Sequence, residues 1–181
     1  MSEVIENGFF ELAKERYSEH YFDSWPVEQE KLDRILESGR IVPTACNYQP
    51  QKFFVIRSEE AMNKLKSVTP FHYNAPLFIL VCYDLREVWT NPSDSLYRNY
   101  NSGEQDASIA ATTMMYEAEE LGVHTIWIRG FDSVNVMKTF GLEEYMIPVM
   151  LLGLGYPSEK AKANPWHYKR KPIEEFVTEL Q

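Results

Sequence analysis

Histidine, cysteine and glycine are all scarce in this chain, and each shortage removes a class of chemistry. The four histidines, His20, His72, His124 and His167, stand far apart with no H-x-x-x-H or H-x-H spacing, so no metal site is expected. The two cysteines, Cys46 and Cys82, form no C-x-x-C pair. Cys46 has no basic or imidazole neighbour in sequence to activate it, and the expectation is a buried, inert thiol. No G-x-S-x-G elbow is present for a serine hydrolase. Gly153-Leu154-Gly155 lacks the third glycine of a dinucleotide fingerprint, and no helix follows it. Those glycines read instead as close-packing positions at a strand end.

Positive charge is also in short supply. Eighteen Lys and Arg against 27 Asp and Glu leave a net charge of −9, which argues against a general nucleic-acid binder. A local basic pocket for one phosphate remains compatible with that balance. No apolar run approaches the ~18–20 residues of a membrane span. The start, MSEVIENGFFELAKER, is acidic and amphipathic rather than basic and then apolar, so a cytoplasmic protein with reduced thiols is expected. A length of 181 residues suits one domain, 1–181.

Periodicity supplies the elements. Apolar spacing predicts helices over 4–16 and 28–40, the second ending near Gly39. Residues 43–50, PTACNYQP, are bounded by prolines and read as an ordered loop. Strands are predicted at 53–57, 77–83, 124–128 and 147–156, the apolar runs at 77–83 and 147–156 being continuous enough to be buried on both faces. Ser58 and Asp132 stand where helices would be capped. Residues 104–121 form the longest predicted helix, apolar on most sides and therefore buried. Residues 84–103 are polar and aromatic, long for a connection, and expected to form a flap. A terminal helix is predicted over 173–180, with Phe176, Val177 and Leu180 inward. The fold class is α+β, sandwich-like, with one mixed central sheet flanked by helices.

Three clusters remain. Arg16-Tyr17-Ser18-Glu19-His20 combines a planar guanidinium fork with hydroxyl and imidazole donors. Lys169-Arg170-Lys171 precedes the terminal segment, and the 43–50 loop carries the amides of Asn47 and Gln49. Taken singly, they read more readily as a helix-end cap, a solvated tail and a structural turn.

Their order along the chain carries more. Arg16-Tyr17-Ser18 with Phe22 is followed by Pro43-Thr44-Ala45-Cys46-Asn47-Tyr48-Gln49-Pro50. An apolar helix ending in Leu121-Gly122 comes next, then Gly153-Leu154-Gly155-Tyr156-Pro157 and Arg170-Lys171-Pro172. From about Arg16 to Pro172 the chain resembles the nitroreductase family of FMN-dependent flavoproteins.

The resemblance implies an interlocked homodimer with FMN at the interface. It implies flavin contacts from Arg16, Tyr17, Ser18 and His20, with Lys169 and Arg170 closing on the phosphate. Pro43, Thr44, Ala45, Asn47 and Gln49 would reach the same flavin from the partner subunit. Trp127, Ile128, Arg129 and Gly130 would pass along the ring. It also implies NADH or NADPH as reductant and a small acceptor such as a nitroaromatic or quinone, with the flavin rather than a catalytic side chain carrying the chemistry. No nucleic-acid or membrane partner is implied. Two departures stand out: His20 replaces the family's usual Lys or Arg, and Arg129 replaces a residue that is acidic in some members. His20, together with the flap, whose sequence follows no pattern of the family, keeps open an alternative role in FMN storage or sensing with little turnover.

Overall fold

The computed structural model describes residues 8–180. In chain order the elements are α1 (Phe9–Glu15), α2 (Gln29–Arg40), β1 (Gln51–Ile56), α3 (Glu59–Val68), β2 (Leu77–Asp84), β3 (Thr90–Asn91) and β4 (Tyr100–Asn101). They continue with α4 (Gly103–Glu120), β5 (His124–Ile128), α5 (Ser133–Phe140) and β6 (Met146–Gly155). Val4 and Ile5, part of the first predicted helix, lie outside the described residues.

The central sheet runs β1-β2-β6-β5, and every pairing in it is antiparallel. This corrects the expectation of a mixed sheet. The parallel contact is a single bridge, Ser18 to Thr125, laid beside β5 by the segment that follows α1. Apolar runs set burial without setting strand direction.

β2 shows why the sheet carries a layer on each face. Leu77, Ile79 and Val81 join one core cluster, whereas Phe78, Leu80 and Cys82 join the other, as period-two alternation demands. The first cluster is closed by α2 and α4 through Leu32, Ile35, Ala107, Ala111 and Met114. The second is closed by α3 and α5 through Leu65, Val68 and Val136. Alanines at 107, 110, 111 and 118 are fully buried, so α4 lies close to the sheet. The expected caps form: Ser58 accepts from the Ala61 N–H at 3.2 Å, and Asp132 from the Asn135 N–H at 2.7 Å. Gly141 takes the left-handed conformation that ends α5.

The C-terminal expectation fails. Residues 173–180 hold only a short 3₁₀ turn, Ile173–Glu175, and Phe176, Val177 and Leu180 are 68%, 58% and 93% exposed. Helical spacing needs a face to bury against, and a single copy of the chain offers none there. Cys46 is likewise exposed rather than buried, whereas Cys82 is buried.

Candidate flavin site

Arg16 ends α1, its N–H donating to the Leu12 carbonyl at 3.0 Å. The chain then runs extended along the sheet edge. Ser18 bridges Thr125, the Glu19 N–H donates to the Thr125 carbonyl at 3.0 Å, and the Asp23 N–H donates to the Tyr156 carbonyl at 2.8 Å. This places Ser18 and His20 beside the end of β5.

There, Ser18, His20, Trp127, Ile128, Arg129 and Gly130 line one pocket of about 280 Å³. Six residues from two distant predicted segments therefore meet. His20 Nδ1 lies 2.9 Å from the Ser18 carbonyl, which can only accept, so Nδ1 carries a proton and Nε2 is the free nitrogen. The Arg129 guanidinium lies over the Phe131 ring and donates to the Phe131 carbonyl at 3.2 Å.

Phe71 and Tyr73 complete the wall, and sequence reasoning did not single them out. The Tyr73 ring meets His20 edge-on with centroids 4.7 Å apart. Thr69 Oγ1 donates to the Gly130 carbonyl at 2.8 Å, and a Cβ at Gly130 would stand 2.5 Å from the Phe71 ring. The one signal was the aromatic cluster Phe71-His72-Tyr73 just before a strand; nothing in its spacing points to residues 126–130. A second hollow of about 340 Å³ adjoins, sharing His20 and Tyr73 and adding Lys162 and Asn164.

A polar cluster gathers around Tyr17 and Glu19. Arg16 Nε is buried without a hydrogen-bond partner. The Glu119 carboxyl is pushed up by burial, an effect opposed by His124 and Arg16. Tyr17 donates to Glu19 at 3.0 Å, and burial together with that carboxylate pushes its phenol up to about 12. The turn Pro165–Tyr168 reaches the same cluster, the His167 ring standing 6.3 Å from Tyr17. Lys169 and Arg170 follow it directly and are exposed, Arg170 donating to the carbonyls of Trp166 and Lys169 at 3.1 and 3.0 Å.

The 43–50 loop is elsewhere. The Ala45 N–H donates to Asp106 Oδ1 at 3.0 Å, in the first turn of α4, and Ser102 holds the other oxygen at 2.7 Å. Thr44 Oγ1 accepts from the Gln49 N–H at 3.1 Å. Cys46, Asn47 and Gln49 all have positive φ, which holds the loop in an uncommon shape. Asp106 is near one end of α4 and Glu119 at the other, about 20 Å apart at the helical rise of ~1.5 Å per residue. Within one chain, then, Pro43, Thr44, Ala45, Asn47 and Gln49 do not join Arg16, Ser18 and His20.

Comparison with known proteins gives the family. The model of the nitroreductase family matches residues 13–69 and 69–156. The chain belongs to the nitroreductase family. This family member is 38% identical to a nitroreductase family protein of Clostridium difficile 630, whose crystal structure superposes with a TM-score of 0.87 over 94% of this chain and 97% of that one. It is 30% identical over 163 residues to a Methanothermobacter thermautotrophicus protein with the provisional name NADH dehydrogenase/NAD(P)H nitroreductase, covering 86% of this chain and 81% of that protein. A Bacillus subtilis protein named FMN reductase [NAD(P)H] is 28% identical over 184 residues, covering 91% and 70%.

Proposed function

We propose that this nitroreductase-family chain is an NAD(P)H-dependent oxidoreductase that holds FMN between two copies of itself. The observation that carries the reading is the split of the donor set: one half lies beside β5, the other at the far end of α4. Two copies related by a two-fold axis can bring the 43–50 loop of one beside the β5 pocket of the other, which completes two equivalent sites. The names of the relatives support the cofactor and the reductant.

The residues present fit FMN. Arg16 Nε is a buried donor without a partner, suited to a phosphate oxygen. Lys169 and Arg170 are exposed on the segment that packs over Tyr17 and add charge on that side. Ser18 and His20 face the pocket with a hydroxyl and a free Nε2. Phe71 and Tyr73 line the pocket with aromatic rings, and Trp127 to Gly130 line it from the end of β5. The loop 43–49 of a second copy would close the site through Pro43, Thr44, Ala45, Asn47 and Gln49.

Bound there, FMN would supply hydride-transfer chemistry between NADH or NADPH and a small organic acceptor. The chain's own groups bind, orient and desolvate; no side chain is assigned as acid, base or nucleophile. A purified protein that takes up FMN, turns yellow and then oxidises NADH or NADPH with an added quinone meets this expectation. A protein that takes up no FMN overturns it. A yellow protein that leaves both reductants untouched replaces turnover with flavin storage.

A further inference from the structure

Glu19 is fully buried, yet it is a carboxylate. Its Oε1 accepts from the backbone N–H of His20 at 2.9 Å and of Tyr21 at 2.7 Å. Its Oε2 accepts from the Tyr17 hydroxyl at 3.0 Å and lies 3.4 Å from His124 Nδ1, an ion-pair distance without hydrogen-bond alignment. Its own N–H is tied to β5 through Thr125. One side chain therefore joins the segment after α1, the first residues of β5 and, through the Tyr17 ring, the turn at Pro165–Tyr168.

A buried carboxylate is a poor way to gain stability, because removing the charge from water costs about as much as its partners return. What this one does is specify geometry. The two N–H groups it captures belong to His20, which faces the pocket, and to the residue after it. The bridge at Ser18 fixes the chain on one side, and the carboxylate fixes it on the other. We propose that Glu19 is a positioning residue that holds Ser18 and His20 in place for the cofactor, and that Tyr17 and His124 orient its carboxylate. The proposal rests on the FMN reading for its functional consequence, but not for its structural one.

The test is Glu19→Gln in the full chain, with two readouts. In the cofactor-free protein, amide hydrogen exchange at His20 and Tyr21 is expected to quicken about tenfold, the scale of one hydrogen bond to a charged acceptor. In FMN titrations, affinity is expected to fall about tenfold in the wild-type background but to change little in a Ser18→Ala/His20→Ala background, where nothing is left to position. Unchanged exchange at both amides overturns the proposal, and so does an equal FMN loss in both backgrounds. If Glu19→Gln does not fold, Tyr17→Phe examines the same network and must quicken the same two amides; if it does not, the proposal fails. A wild-type chain that binds no FMN overturns the cofactor reading instead, and the exchange measurement then decides the positioning claim alone.

Discussion

The Glu19 N–H donates to the Thr125 carbonyl at 3.0 Å, so the strip that carries Ser18 and His20 continues the sheet edge that carries Trp127 to Gly130. A short extended segment thereby converts two distant stretches of sequence into one pocket wall. The expectations below follow from that arrangement and from what surrounds it.

Arg16 is the first. Its Nε is buried without a partner, so removing the side chain costs the fold little hydrogen bonding while removing the donor proposed for the phosphate. Arg16→Ala is expected to weaken FMN binding by ~1.5–3 kcal/mol, measured by the quenching of flavin fluorescence on titration. Unaltered affinity would place the phosphate elsewhere.

Gly130 and Phe71 form a packing pair. A methyl at Gly130 would meet the Phe71 ring at 2.5 Å, so Gly130→Ala should lower stability by ~1–3 kcal/mol in urea denaturation. In a Phe71→Ala background the same change should cost much less. Equal costs in both backgrounds would show that the two positions do not press on each other.

These two residues also mark what was legible in sequence. The strands at 77–83 and 124–128 and the caps at Ser58 and Asp132 follow from apolar runs and local hydrogen bonding, which act over a few residues. That Ser18, His20 and residues 127–130 come together in one pocket accords with the resemblance. Phe71 and Tyr73 were not legible, because their place in the wall depends on Thr69 reaching the Gly130 carbonyl across the fold. Strand direction was not either, since β2 and β6 are equally apolar whichever way they run. The terminal helix was misread for a related reason: Phe176, Val177 and Leu180 have helical spacing but no face to cover within one chain.

The thiols offer a chemical check. Cys46 is exposed, and Cys82 is buried, with burial pushing its thiol up to about 12. One thiol per chain should react with an aromatic disulfide reagent in the native cofactor-free protein, and two after unfolding. Since Cys46 lies between Ala45 and Asn47, FMN should slow its modification. Equal rates with and without FMN would move the 43–50 loop away from the cofactor.

Acid stability has a definite sign. The Arg86 guanidinium, hydrogen-bonded to the buried Asp84 at 2.9 and 2.6 Å, holds that carboxyl down at about 2. A depressed carboxylate contributes stability above its unfolded value of about 3.9, and that contribution is lost as pH falls through about 2. Asp84→Asn should therefore lower the thermal midpoint at neutral pH and narrow its difference from wild type between about pH 4 and pH 2. A gap that stays constant across that window would show that the ion pair is not its source.

The central claim is that each FMN site is assembled from two subunits, with Arg16 from one and the 43–49 loop from the other. It is tested by mixing Arg16→Ala chains with Asn47→Ala chains, each first shown to be impaired alone. In a mixed dimer one site carries both defects and the other carries neither. Unfolding and refolding the two together should restore NAD(P)H oxidation to about a quarter of the wild-type level, since about half the dimers are mixed and each has one intact site. If the mixture is no more active than the average of the separate variants, the site lies within a single chain and the account is contradicted.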